Sequence, residues 1–338
     1  MSNIFHDVRR WLPGALVSLV LVAVILYFVD LRAVVAAMRS ADYRLLLIVL
    51  AGSIIWLIVR GIVWRILLRE QVSYKDAFLT LSEGYLLNNF LPFRLGEIGR
   101  AFLLSRKTGL AFMEILPTIV IERVFDLAIS AIILVSAVPF VVGASGAERI
   151  GFVVGGGVVV GLVILYLLVH NREQARDIFK NLSARWPGLQ HFGNNFLGSF
   201  FTGLAVLTDG RLFSRFLFWM VLDWLIAVFQ YYLIIAAFFP QAKLVWGMFG
   251  LGAAAFGGAV PSLPGAVGTF EGAFGGALTL LTGDQSTALA VALAARLYNY
   301  LVSGAVGAYA LSIEGETLSS IYKQLAKFGS TQGRTNPD

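Results

Sequence analysis

Cysteine is missing from this 338-residue chain, which removes disulfides, thiolate catalysis, iron–sulfur clusters and thiolate zinc sites together. Histidine is nearly missing: His6, His170 and His191 are all there are, none lies within an apolar run, and none has a partner at metal-ligand spacing. Charge is scarce as well. Only 14% of the residues are charged, against 58% hydrophobic before 35 glycines are counted; a soluble domain averages about 25% charged and about 45–50% apolar with glycine included. Too few polar residues exist to cover a water-facing surface, which excludes a cytosolic enzyme. A transmembrane β-barrel is excluded by the long apolar runs, because barrel strands alternate apolar and polar positions. What remains is an all-α polytopic membrane protein. The net charge of +6 does not point to a nucleic-acid partner, because the basic residues border apolar segments instead of forming a solvated patch.

What is present is a series of apolar runs. A membrane-crossing helix needs roughly 20 mostly apolar residues for a ~30 Å hydrocarbon core, and runs at 12–29, 45–64, 115–142, 151–169, 216–239 and 288–311 meet that length. They predict about six transmembrane helices. Arg9-Arg10 precedes the first run, but no small-residue cleavage site follows it and more helices come after, so an uncleaved first helix is expected. Two further apolar stretches, 78–104 and 246–281, are broken by Pro92 and Gly96 and by Pro261, Pro264, Gly265 and Gly268. Broken backbone at membrane depth is tolerated where it is buried in protein or lines a wet cavity, so both stretches are expected to be re-entrant helical hairpins.

Lys and Arg accumulate on the cytoplasmic side of membrane proteins. With the N-terminus inside, 18 of the 26 basic residues fall on inside segments and 5 on outside ones. Arg32, Arg39 and Arg44 in the first outside loop run against the trend. This topology puts both termini in the cytoplasm of a cell that carries the protein in its plasma membrane. The inside segment 170–215 is the largest polar insertion. It reads as an amphipathic platform or a docking site for a membrane-associated transferase, or as a plain connector.

The chain repeats itself. Leu91 to Leu104 reads LPFRLGEIGRAFLL, and Leu263 to Gly276 reads LPGAVGTFEGAFGG. Thr108-Gly109 answers Thr282-Gly283, and Arg123-Val124-Phe125-Asp126 answers Arg296-Leu297-Tyr298-Asn299, at nearly one offset. A first unit at 12–142, holding the hairpin 78–104, and a second at 150–311, holding the insertion 170–215 and the hairpin 246–281, leave a cytoplasmic tail at 312–338. Each unit makes three crossings, and an odd number turns the second copy upside down. Inverted repeats with broken helices near the midplane are the architecture of many alternating-access transporters.

A charge at the bilayer centre costs at least ~2.5–3.5 kcal/mol and needs a partner or a wet cavity. The first hairpin offers Asn88, Asn89, Arg94, Glu97 and Arg100; Glu122, Arg123 and Asp126 follow; the second half offers Glu271, Arg296 and Asn299. One reading is a polar cavity in which arginines bind a lipid phosphate and carboxylates receive a cationic or hydroxyl-bearing headgroup. The other is a buried ion-pair network, Arg123 with Glu97 or Glu122 and Arg296 with Glu271, that holds hairpins to closing helices. Asp223, Arg60 and Glu83 have no assignable partner from sequence. Gly257, Gly258, Gly265, Gly268, Gly272, Gly275 and Gly276 are expected to let helices approach closely. No nucleotide-binding glycine loop, metal cluster or Ser-His pair is present, so neither a catalytic residue nor a cofactor is expected.

The runs NNFLPFRLGEIGRAFLLSRKTG, IERVFDL and SLPGAVGTFEGAF resemble the hallmark segments of the lysylphosphatidylglycerol synthase transmembrane, or flippase-like, family. The most specific part is Leu-Pro-x-Arg-x-Gly-Glu-x-x-Arg at Leu91 to Arg100, followed by Glu-Arg-x-x-Asp at Glu122 to Asp126. The resemblance implies a membrane domain that moves aminoacylated phospholipid between leaflets, or in other members accompanies polyprenyl-linked sugar transfer or glycolipid handling. The sequence ends about 27 residues after the last apolar run, so the soluble aminoacyl-transferase domain of full-length synthases is not expected. The expected cargo is a membrane lipid, whether anionic, aminoacylated or polyprenyl-linked. The alternative is a membrane partner of a lipid-directed glycosyl- or aminoacyl-transferase.

Overall fold

A computed structural model of the protein describes residues 30–91, 94–142, 209–260 and 264–315, with the single positions 157, 160, 171, 174 and 206. The expected span at 12–29, that at 151–169 apart from 157 and 160, most of the insertion 170–215, the tail after Gly315, and Pro92 and Pro261 lie outside the described residues. Every regular element among the described residues is helical.

A short helix, α1 (Leu31–Ser40), comes first. The Asp30 carboxylate caps it, accepting from Arg32 N–H at 2.8 Å. The segment 30–44, expected as the first loop, therefore holds a helix: the spacing of Val34, Ala37 and Met38 lays one apolar face on the bundle, with Arg32 and Arg39 exposed.

Four elements follow: α2 (Tyr43–Leu67), α3 (Tyr74–Phe90), α4 (Leu95–Thr108) and α5 (Phe112–Val142). Four more repeat the order: α6 (Gly210–Ala236), α7 (Leu244–Ala259), α8 (Thr269–Thr282) and α9 (Gln285–Glu314). Lengths correspond, 25, 17, 14 and 31 residues against 27, 16, 14 and 30. Backbone detail corresponds too. Arg94 (φ 54°) before α4 answers Ala266 (φ 56°) before α8, and Gly109 (φ 72°) after α4 answers Gly283 (φ 73°) after α8.

The long helices α2, α5, α6 and α9 are long and apolar enough to cross a membrane; 25 residues at 1.5 Å each reach about 38 Å. Many of their large apolar side chains, such as Leu47, Ile55, Phe218 and Leu225, point outward, as suits a surface solvated by acyl chains. Helices α2 and α6 pack on each other, and the halves exchange partners around them: α3 packs on α9, and α7 on α5. The interior holds Leu57, Val63, Trp64, Phe216 and Met220 on one side and Ile235, Phe274, Val291 and Ala292 on the other.

Each broken stretch is a pair of helices packed on one another, α3 with α4 and α7 with α8. Glycine permits the contact in the first pair: a Cβ on Gly84 would sit 2.8 Å from Arg100 Cβ, and one on Gly96 2.7 Å from Asn88 N. In the second pair Gly257 meets Thr269 and Ala273 in the same way. Gly272 and Gly276 depart from expectation, since a Cβ on either meets nothing within 4 Å; their face of α8 points away from α7.

Candidate functional site

The two helix breaks meet. Arg94, whose left-handed backbone costs a non-glycine residue about 1–2 kcal/mol, reaches from the first break to donate a 2.8 Å hydrogen bond to the carbonyl oxygen of Gly258, at the end of α7. Nearby, Asn89 Nδ2 donates to Ser303 Oγ on α9 at 2.8 Å. Between the halves lies a cavity of about 390 Å³.

Seven of the eleven polar residues singled out from sequence line this cavity: Asn88, Asn89, Arg94, Glu97, Arg123, Arg296 and Asn299. Gly265 lines it as well. The remaining wall is apolar, from Leu91, Leu251, Ala254, Val260 and Phe270 among others, and Tyr85, Tyr231 and Tyr300 add aromatic faces. The polar groups gather on the first hairpin, whereas the second contributes mainly backbone and small or aromatic side chains. Asn88 Oδ1 is buried there without a hydrogen-bond partner.

Arg100, Glu122, Asp126 and Glu271 do not line the cavity. They stand behind its wall, where ion pairing consumes them. Glu122, fully buried, accepts from Arg100 at 2.8 Å and from Arg123 at 2.9 Å, and lies 2.8 Å from Arg60. Asp126 pairs with Arg123 at 3.0 Å, pairs with Arg60, and accepts from Trp224 Nε1 at 3.3 Å. Arg60 also donates to Asp223 at 2.9 Å. Arg123 reaches Glu97 at 3.2 Å. Each long helix of the first half thus meets α6 through charge, and Arg60 and Asp223 find the partners that sequence alone did not assign them.

The second half has a smaller counterpart. Arg296 on α9 donates to both oxygens of Glu271, 2.8 Å to Oε2. It also donates to the carbonyl oxygens of Gly265 and Ala266, and its guanidinium lies 4.7 Å from the Phe270 ring centre. Glu271 in turn accepts the Gly268 N–H at 2.8 Å. These contacts clamp the second break to α9, and the positive φ of Gly265 (69°) and Gly268 (87°) lets the backbone turn there. Both pairings of the ion-pair reading, Arg123 with Glu97 and Glu122 and Arg296 with Glu271, are therefore present.

The charges balance: Arg60, Arg94, Arg100, Arg123 and Arg296 face Glu97, Glu122, Asp126, Asp223 and Glu271. They are not equally committed. Arg94 has one hydrogen bond, lies 3.8 Å from Glu97, and leaves 44% of its side chain exposed.

The family described as the lysylphosphatidylglycerol synthase TM region matches residues 11–307. The chain belongs to this family. It is similar to a UPF0104 membrane protein of Methanothermobacter thermautotrophicus, 24% identical over 316 residues that cover 89% of this chain and 92% of the relative. It is also similar to a UPF0104 membrane protein of Methanocaldococcus jannaschii, 25% identical over 219 residues, 63% of this chain and 88% of the relative. No solved structure matches it. The family match takes in both helix breaks, all of α5 and α9 as far as residue 307, so every residue that lines the cavity of this family member lies within the matched region. Sequence reasoning missed Tyr85, Tyr231 and Tyr300 in its wall. Tyrosines in apolar helices look like core residues, although Tyr300 stands one turn after Arg296 and shares its face.

Proposed function

We propose that this protein is a lipid translocase that carries a phosphate-bearing headgroup between leaflets while the acyl chains stay in the bilayer. The carrying observation is the cavity where the two breaks meet, polar on the first hairpin and apolar opposite, with Arg94 only lightly committed at its edge. An arginine with free donors suits a phosphate oxygen, and its fork can hold two. Arg123 adds a second guanidinium, about a quarter exposed. Asn88 and Asn299 suit the hydroxyl or ammonium groups of a headgroup. The apolar wall suits the first carbons of the chains.

In this reading the two halves are inverted repeats, both broken hairpins are re-entrant, and the membrane is the plasma membrane with both termini in the cytoplasm. The hydrogen bonds from Arg94 to Gly258 and from Asn89 to Ser303 are the contacts that must change partners when access switches. A phosphate entering the cavity competes for Arg94 and so weakens the first of them.

Purified protein in liposomes with labelled phosphatidylglycerol tests the reading. Faster leaflet exchange than in protein-free liposomes is expected. Exchange at the protein-free rate for anionic, aminoacylated and polyprenyl lipids alike overturns it.

A further inference from the structure

Away from the cavity, two carboxyl groups share one ammonium. Glu83, on α3, is fully buried. Lys107, on α4, donates to Glu83 Oε2 at 3.0 Å and to Thr80 Oγ1 at 3.0 Å, and also pairs with Glu314 at the end of α9. Glu83 Oε1 is sealed from solvent with no hydrogen-bond partner. The Lys107 ammonium thus brings the Glu83 and Glu314 carboxyls together, each in ion-pair contact with it. A cavity of about 380 Å³ leads to Lys107 and Glu314.

Other charged groups near this spot are engaged elsewhere. Asp76 accepts from the Ser73 hydroxyl at 2.6 Å, and Arg106 lies 5.9 Å from the Phe102 ring centre. Lys75 lines the cavity, and no ion pair joins it to Glu83 or Glu314. From α2, Arg65 turns to the Val72 carbonyl and to Glu70. Lys107 therefore faces both carboxyls, and one ammonium cannot neutralise two carboxylates. An ionised, unpartnered oxygen at a fully buried position is strongly disfavoured. One proton held by the two carboxyls removes the surplus charge.

We propose that Glu83 and Glu314 form a proton-binding site, in which one shared proton bonds the first broken hairpin to α9. Loss of that proton sets two carboxylates against each other at the contact between α3 and α9, where the helices run so close that a Cβ on Gly307 would lie 2.7 Å from the Ser82 carbonyl oxygen. The α3 helix carries Asn88 and Asn89 into the headgroup cavity less than two turns further on, so on the translocase reading proton occupancy governs the same hairpin that holds the lipid.

Infrared spectroscopy of the purified full-length protein reads the proton directly. The protonated-carboxyl C=O band is expected near neutral pH, shifted by carbon-13 labelling of glutamate, lost as pH is raised, and lost in Glu83→Gln and in Glu314→Gln. Should either variant fail to fold, the labelled wild-type titration decides alone. Absence of a glutamate-sensitive protonated band in the wild type, or its persistence in both folded variants, overturns the site. A band without lipid exchange supports the site and counts against the translocase reading only; exchange without a band overturns the site only.

Discussion

Arg94 and Gly258 stand 164 residues apart in the chain, yet the guanidinium of one donates a 2.8 Å hydrogen bond to the carbonyl oxygen of the other. Each marks the edge of a helix break. Their contact ties the two halves across the cavity, and it does so with a cation that has donors to spare. A bond from one charged donor to one neutral carbonyl is worth about 1.5–3 kcal/mol net, and a phosphate, which pairs charge with charge, can displace it. The ion pairs behind the cavity are of a different kind, because each buried guanidinium there is held by carboxylates that no ligand need disturb.

Glu122 is the centre of that second set. Glu122→Gln leaves Arg100, which is 2% exposed, facing a neutral amide in place of its carboxylate. Removing one member of a buried charge pair costs about 3–5 kcal/mol, so thermal unfolding in detergent is expected at a markedly lower temperature. Unfolding at the wild-type temperature would show that the pair adds nothing to stability.

Gly96 on α4 and Gly272 on α8 separate close approach from mere smallness. Gly96→Ala drives a methyl into Gly84 and Asn88, and overpacking of this kind costs about 1–3 kcal/mol. Gly272→Ala meets nothing within 4 Å and gains helix propensity of up to about 1 kcal/mol. Melting temperatures are expected to fall for the first and to hold or rise for the second. The opposite order would contradict the packing of the hairpin.

Asp284 caps α9 just ahead of the membrane-spanning segment Gln285–Glu314. Its carboxylate accepts from Thr287 N–H at 3.0 Å and from the Thr287 hydroxyl at 2.6 Å, and these bonds hold its pKa below the ordinary aspartate value. A carboxylate held down in the folded state stabilises the fold fully above its unfolded pKa, about 3.9, and loses that contribution as pH falls through the lower folded value. Asp284→Ala is expected to cost about 1 kcal/mol at neutral pH. The gap between variant and wild type should close in acid, and a gap independent of pH would refute the cap.

The long helices were legible because each carries an apolar run of membrane-spanning length, and the breaks were legible because proline and glycine interrupt such runs. The ion pairs of Arg123 with Glu97 and Arg296 with Glu271 were legible for a related reason: hairpin and closing helix follow one another in the chain, so the partners are near in sequence. Arg60 and Asp223 were not. They lie 163 residues apart, on helices whose contact depends on how the halves dock. Helix α1 escaped because it lies against the bundle and is too short to span. The division of the polar set into cavity residues and buried pairs also escaped, since residue type alone does not tell Arg94 from Arg100. Burial and partners do.

The most direct test of the cavity is leaflet exchange by Arg94→Gly. Glycine adopts the left-handed backbone at this position without the ~1–2 kcal/mol penalty, which offsets the lost bond to Gly258, so the melting temperature should stay near that of the wild type. In liposomes with labelled phosphatidylglycerol, exchange is expected to fall toward the protein-free rate. A folded Arg94→Gly protein that exchanges lipid as fast as the wild type would contradict the assignment of this cavity to the headgroup.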